Sequence, residues 1–161
     1  RLCRDWSSDV CSSDLTYEMI DLHNIGECVS ISDQWRIANE EQVGDSVNLE
    51  FSALKRAAAN YEELGLLGGL IRIDGKPVAF AIGEEVNSDV FLVHFEKALD
   101  GYDGLYAAIN NEFAAHHLTK YQFINREEDM GVEGLRKSKL SYHPVLVLEK
   151  YRAVLKGAKA Q

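Results

Sequence analysis

The chain has 161 residues, 46% of them apolar, which suits one globular domain with a sizeable buried core. Its formal charge of -9 makes it a poor general binder of nucleic acid or anionic lipid, and no apolar run is long enough to span a bilayer.

The first segment does not read as folded protein. Asp5-Trp6-Ser7-Ser8-Asp9-Val10-Cys11-Ser12-Ser13-Asp14-Leu15 back-translates onto a common sequencing-library adapter, so residues 1–15 are read as an assembly scar, disordered and outside the fold. A polar, Ser-rich tail is the other reading and also lies outside the fold. An adapter joined to Thr16 implies a reading frame cut there, and hence a domain of residues 16–161 from the C-terminal part of a longer protein. Without the scar the formal charge becomes -8 and Cys28 is the single remaining cysteine. A lone cysteine excludes a disulfide framework and cysteine-rich zinc motifs, and agrees with a reducing cytoplasm. Cys28 lies in an apolar pattern with Ile25, Val29 and Ile31, which favours buried packing over a nucleophile.

From Asp21 to about Asn39, residues Ile25, Cys28, Val29, Ser32, Trp35 and Ile37 recur near helical spacing, and Leu49 to Leu64 repeats the pattern through Leu54, Ala57, Ala58 and Tyr61. Ser46 and Asn48 can cap the second helix and Gly65 stops it. The polar stretch Glu40 to Val47 reads as a loop able to shape a cleft.

Three strands are predicted next: Leu66 to Ile73, Val78 to Val86 and Val90 to Glu96. Asp74-Gly75-Lys76-Pro77 and Asn87-Ser88-Asp89 supply the turns, which makes an antiparallel meander. Gly68, Gly69 and Gly83 fall inside strands, where glycine marks a bulge or the close approach of a backbone or ligand. Gly104 to Leu118 reads as a helix, Tyr121 to Ile124 as a short strand, Val132 to Leu140 as a helix and Val145 to Leu148 as a last strand. The fold class is α+β, a mixed sheet with an antiparallel meander flanked by helices. The element order resembles the GNAT acyltransferase fold.

Over Tyr61 to Tyr151 the likeness is more specific. Pro77-Val78-Ala79-Phe80-Ala81-Ile82-Gly83-Glu84, His94-Phe95-Glu96-Lys97-Ala98, and Asn125-Arg126-Glu127-Glu128-Asp129 through Gly134-Leu135-Arg136-Lys137-Ser138-Lys139 to Pro144 carry it. This composite resembles the C-terminal domain family of phosphatidylglycerol lysyltransferases, especially its soluble bacterial members without an established function. The resemblance implies two GNAT-like repeats in a full-length protein, with this chain covering chiefly the second, and a transferase ancestry.

The residues offer a chemistry of their own. His94 and Glu96 are two apart on a strand and are expected to share a face. Acyl transfer to an amine or hydroxyl needs a base, and Glu96 is the first candidate, His94 the second. The competing reading of Glu96 is a structural ion pair with Lys97 or Arg136. Asp100-Gly101-Tyr102-Asp103-Gly104 occupies the strand-to-helix junction where GNAT enzymes present backbone N–H groups to a donor pyrophosphate, which makes Gly101, Tyr102 and Gly104 cofactor candidates. The two aspartates oppose phosphate there, and a plain turn with a cap is the other reading.

Asn125, Arg126, Glu127, Asp129, Arg136, Lys139 and Tyr142 are the candidate substrate contacts. Arg136 and Lys139 are three apart on a helix and share a face suited to a phosphate or carboxylate, and a solvated helix with internal ion pairs is the alternative. Asp129 can instead cap the helix near Val132, with Gly131 in the turn. His116-His117 lack a carboxylate at metal-ligand spacing, so no metal is expected and dipole complementarity at a helix C-terminus is the simpler account.

The expected activity is transfer of an acyl or aminoacyl group to an amine or hydroxyl acceptor, with acyl-CoA or aminoacyl-tRNA as donor. The acidic charge disfavours tRNA, DNA is not expected, and steep salt dependence would mark an RNA contact by the lysine-rich tail Lys150 to Lys159. The alternative is a non-catalytic small-molecule-binding or regulatory module that retains the fold.

Overall fold

Turn chemistry and β-branched runs fold the middle of the chain back on itself twice. In the computed structural model, which describes residues 14–39, 45–129, 131, 133–149, 151 and 153, this gives strands β2 (Leu67–Ile73), β3 (Lys76–Asn87) and β4 (Val90–Ala98), joined as an antiparallel meander. A further strand, β1 (Leu15–Met19), pairs antiparallel with β2 from Leu15 opposite Ile73 to Met19 opposite Gly69. Leu15 is the last residue of the segment read as adapter, yet strand pairing uses only backbone groups and accepts it. Its neighbour Asp14 accepts the Asp74 amide through its carbonyl. The readings made for residues 1–13, for most of the loop 40–47 and for Lys150, Lys156 and Lys159 concern positions outside the described residues.

Helix α1 (Ile25–Ala38) and helix α2 (Asp45–Ala59) cover one face of the sheet, and helix α3 (Leu105–Phe113) covers the other. The α2 cap differs from the expectation, since the helix starts at Asp45 and Asn48 lies inside its first turns. It ends at Ala59 rather than Leu64 because the Asn60 side chain donates to the Arg56 carbonyl and closes the last turn. Behind α1 and α2 a core forms from Ile25, Cys28, Ile31, Leu54, Leu70, Phe80 and Ile82. Behind α3 a second core joins Ile71, Ala79, Ala81, Phe91, Val93, Ile109 and Phe113.

α3 runs into a wider π-type turn, Ala114–Leu118, and carries the chain over to β5 (Phe123–Asn125), which lies parallel to β4. The sheet order is therefore β1-β2-β3-β4-β5, a mixed sheet in an α+β fold. β5 faces only Val90, Phe91 and Leu92 and ends at Asn125, while β4 continues to Ala98.

A bulge sets which side chains of β4 reach which face. Ile82 pairs with Phe95 but Gly83 pairs with Val93, leaving His94 as an extra residue. Phe91 and Val93 point to the α3 core, whereas past the bulge it is Phe95 that packs toward the α1–α2 core. β3 fits this closely: a Cβ at Gly83 would stand 2.1 Å from the Leu92 carbonyl oxygen.

The chain divides after Glu127, and residues 128–161 form a separate unit. It contains helix α4 (Glu133–Ser141), which buries none of its residues. Val145 to Leu148, expected as a strand, are not one: all four are exposed and outside the sheet. Their apolar, β-branched composition gives strand propensity, but a strand also needs a partner ladder. Among the described residues no helix is long and apolar enough to cross a membrane.

Candidate functional site

Beyond Leu92, where β5 has ended, β4 is met by α3 and by the residues that follow β5. Glu96 on β4 turns toward α3, where the Asn110 Nδ2 donates to its Oε2 at 2.6 Å. Arg126, just past β5, donates from one guanidinium nitrogen to both Glu96 oxygens at 2.9 Å. The pair is well withdrawn from solvent, with side chains 13% and 22% exposed for Glu96 and Arg126. The ion pair foreseen for Glu96 therefore exists, but its partner is Arg126 rather than Lys97 or Arg136.

Lys97 points to the opposite face and is held by Glu50 of α2 at 2.8 Å, with its ammonium over the Trp35 ring of α1. Alternation along β4 puts these neighbours on different faces.

His94 and Glu96 do not share a face, contrary to the expectation from their spacing, because the bulge at His94 shifts the alternation by one residue. The His94 ring is clamped between two carboxylates: Nε2 lies 2.9 Å from Glu84 on β3, and Nδ1 lies 3.0 Å from Glu127. Burial on its own lowers the imidazole pKa, but the two carboxylates outweigh it and hold the value above that of ordinary histidine. A histidine so held favours the charged form, in which neither nitrogen can accept a proton.

Glu127 is also unusual in its backbone, with φ +56°, a left-handed conformation uncommon outside glycine. The Asn125 side chain steadies it by accepting the Glu127 amide at 2.9 Å. Arg126 and Glu127, adjacent in sequence, thus reach Glu96 and His94 respectively.

At the other end of β4 the loop Asp100 to Gly104 enters α3. Gly101 and Gly104 have φ +93° and +77°, Tyr102 packs against the α3 core, and Gly104 occupies the cap position without a side-chain cap. The first-turn amides of a helix point away from its own carbonyls, the arrangement that accepts an anion.

In the unit 128–161 the candidates form local pairs. Asp129 accepts the Gly131 amide at 2.9 Å and Arg136 at 2.6 Å, and these contacts lower its carboxyl pKa, Arg136 most of all. The Lys139 ammonium donates to the Glu128 carbonyl, and Tyr142 follows the end of α4. Arg136 and Lys139 both turn back on the segment that precedes their helix.

Asn110, Glu84 and Glu50 were not singled out from the sequence. Asn110 had a signal, since it interrupts the apolar face of Ala108, Ile109 and Phe113; Glu84 had a fainter one, as the first acid after an apolar run.

The architecture is that of the GNAT acetyltransferases. The chain is similar in fold to a ribosomal-protein-alanine N-acetyltransferase from Brucella melitensis, with TM-score 0.59, 13% identity and coverage of 88% of this chain and 99% of that one. It is likewise similar to an aminoglycoside N-acetyltransferase in complex with CoA, with TM-score 0.55, 12% identity and coverage of 92% and 97%. Residues 12–154 match the phosphatidylglycerol lysyltransferase C-terminal family, and the chain belongs to that family. A conserved protein of unknown function from Bacteroides thetaiotaomicron is 46% identical, with TM-score 0.77 over 83% of this chain and 45% of that one. This chain thus spans less than half the length of that relative. No curated protein matches it.

Proposed function

We propose that the domain serves a GNAT-type group transfer, in which an acyl or aminoacyl group passes from a donor to an amine or hydroxyl acceptor. The observation that carries this reading is the gathering of Glu96, Asn110 and Arg126 on the stretch of β4 beyond Leu92, where β5 has ended. A strand-to-helix loop with glycines at positive φ leads into α3 and offers helix-terminal amides to a donor anion.

In the proposed reaction the acceptor nitrogen or oxygen attacks the donor carbonyl carbon, and the bond to the donor sulfur or oxygen breaks. Glu96 takes the acceptor proton, with His94 as second candidate, and the leaving group is reprotonated. Asn125, Arg126 and Glu127 contact the acceptor, while Gly101, Tyr102 and Gly104 contact the donor. Asp129, Arg136, Lys139 and Tyr142 form, within their own unit, the contact for a substrate phosphate or carboxylate. The donor is an acyl-CoA or an aminoacyl-tRNA. CoA accompanies the aminoglycoside acetyltransferase named above, whereas Asp100 and Asp103 weigh against a pyrophosphate in this loop.

A second reading, a non-catalytic module with the same fold, draws on the fact that both candidate bases are engaged by charged partners. Thermal unfolding against coenzyme A, acetyl-coenzyme A, aminoacyl-adenylate mimics and phospholipid head groups tests the first. A ligand at a hundredfold excess over Kd adds about 2.7 kcal/mol. Silence to all four counts against transfer. With a responding ligand in hand, loss of turnover in Glu96→Gln with unchanged binding supports catalysis, and absence of turnover in every form supports the module.

A further inference from the structure

We propose that the chain past β5 is held against β4 by a two-sided latch, Arg126 on Glu96 and Glu127 on His94, and that the His94 side releases as pH rises. The inference rests on the transfer reading in one respect only, that this stretch of β4 borders the transfer site.

The latch is visible in the geometry. β5 pairs with three residues of β4 and no more, so backbone hydrogen bonds do not hold the chain past Asn125 against β4. What holds it there is side-chain chemistry. Arg126 donates to both Glu96 oxygens at 2.9 Å, and Glu127 meets His94 at 3.0 Å from the other face. A ligand that reaches Glu96 has to displace Arg126, and one that reaches His94 has to displace Glu127.

The two sides differ in kind. One side sets a guanidinium against a carboxylate, Arg126 on Glu96. The His94 side is titratable. Its ring is faced by Glu84 from β3 and by Glu127, while the nearby charges of β4 are engaged elsewhere, Glu96 with Arg126 and Lys97 with Glu50 of α2. A neutral imidazole carries one N–H and can donate to one carboxylate, not two. Loss of the proton therefore breaks the ring's bond to Glu84 or to Glu127. Glu127 is the side poised to leave: it stands outside regular structure in a left-handed conformation, while Glu84 is fixed within β3.

Amide hydrogen exchange on the whole chain, corrected for the intrinsic pH dependence of exchange and followed between pH 5.5 and 8.5 without ligand, tests the latch. The β5 amides and the Glu127 amide should lose protection as pH rises, by a factor of about two to five, the contribution of a partly exposed ion pair. Glu127→Gln should exchange faster already at pH 5.5 and lose the pH response, and His94→Gln should do the same by removing the other partner. Protection that is flat with pH in the unsubstituted chain, or unchanged in both variants, overturns the latch.

A parallel arm with coenzyme A at both pH values separates the two proposals. A pH-dependent latch with no coenzyme A response upholds the latch and counts against a coenzyme A donor. A coenzyme A response over a pH-independent segment upholds the donor and overturns the latch.

Discussion

Arg126 and Glu96 lie 30 residues apart in sequence, and they meet as one guanidinium nitrogen against both oxygens of one carboxylate, at the point where their two strands have ceased to pair. The pair is partly buried, and Asn110 adds a hydrogen bond to the same carboxylate. Truncation by Arg126→Ala removes the guanidinium from a shielded acid and should cost about 1–3 kcal/mol. The shift in the urea midpoint measures it, and a change below a few tenths of a kcal/mol would show the pair to be structurally idle.

The clamp on His94 makes a directional prediction about pH. The folded-state pKa lies above the unfolded one, so the stabilisation is fully present below about pH 6.5 and is lost as pH rises through the higher folded value. Up to roughly 1 kcal/mol of unfolding free energy should disappear between pH 6 and 9, after discounting for solvent screening. Urea titrations of the unsubstituted chain and of His94→Gln at each pH isolate it, since the difference between them should shrink with rising pH.

Gly83 is expected to tolerate no side chain. An alanine Cβ would stand 2.1 Å from the Leu92 carbonyl oxygen and 2.6 Å from the Phe91 ring, so the β3–β4 ladder itself would have to move. Gly83→Ala should cost about 2 kcal/mol or more. At Gly69 the obstacle is the Tyr17 side chain, with its hydroxyl oxygen at 2.0 Å. Pairing Gly69→Ala with Tyr17→Ala should recover part of the loss there, and differential scanning calorimetry of the two single variants and the double variant checks this.

Cys28 is fully buried, and burial first, then Glu27, push its thiol up to about 12. In the native state at pH 8 it should resist iodoacetamide and react only on unfolding. Peptide mapping by mass spectrometry distinguishes Cys28 from Cys3 and Cys11. Rapid native labelling of Cys28 would mean that the α1 side of the core opens easily.

The meander, the two leading helices and α3 could be read from periodicity because each has a strong one-sided apolar pattern and clear turn residues. β1 escaped notice although Leu15, Tyr17 and Met19 alternate with polar residues, since a five-residue strand beside an adapter-like segment offers little signal. The site was legible in composition and not in pairing. Glu96, His94, Arg126 and Glu127 stood out as types, but which acid meets which base depends on the extra residue at His94 and on where β5 stops, and neither leaves a sequence mark. Val145 to Leu148 shows the converse failure: propensity was present and a partner strand was not.

The bulge lets β4 carry one residue more than β3 while the faces on either side of it stay in register. Val93 stays opposite Gly83 and Phe95 opposite Ile82, so Glu96 reaches Asn110, and Lys97 reaches Glu50 and Trp35, whether or not a residue stands between Val93 and Phe95. Deleting His94 would remove only the ring shared by Glu84 and Glu127 and leave a regular ladder, with Glu96 still toward α3 and Lys97 still toward α2. Position 94 is thus open to deletion as well as to substitution, and natural length variation in this family should be accepted at this one point of the strand as well as in the turns on either side of it.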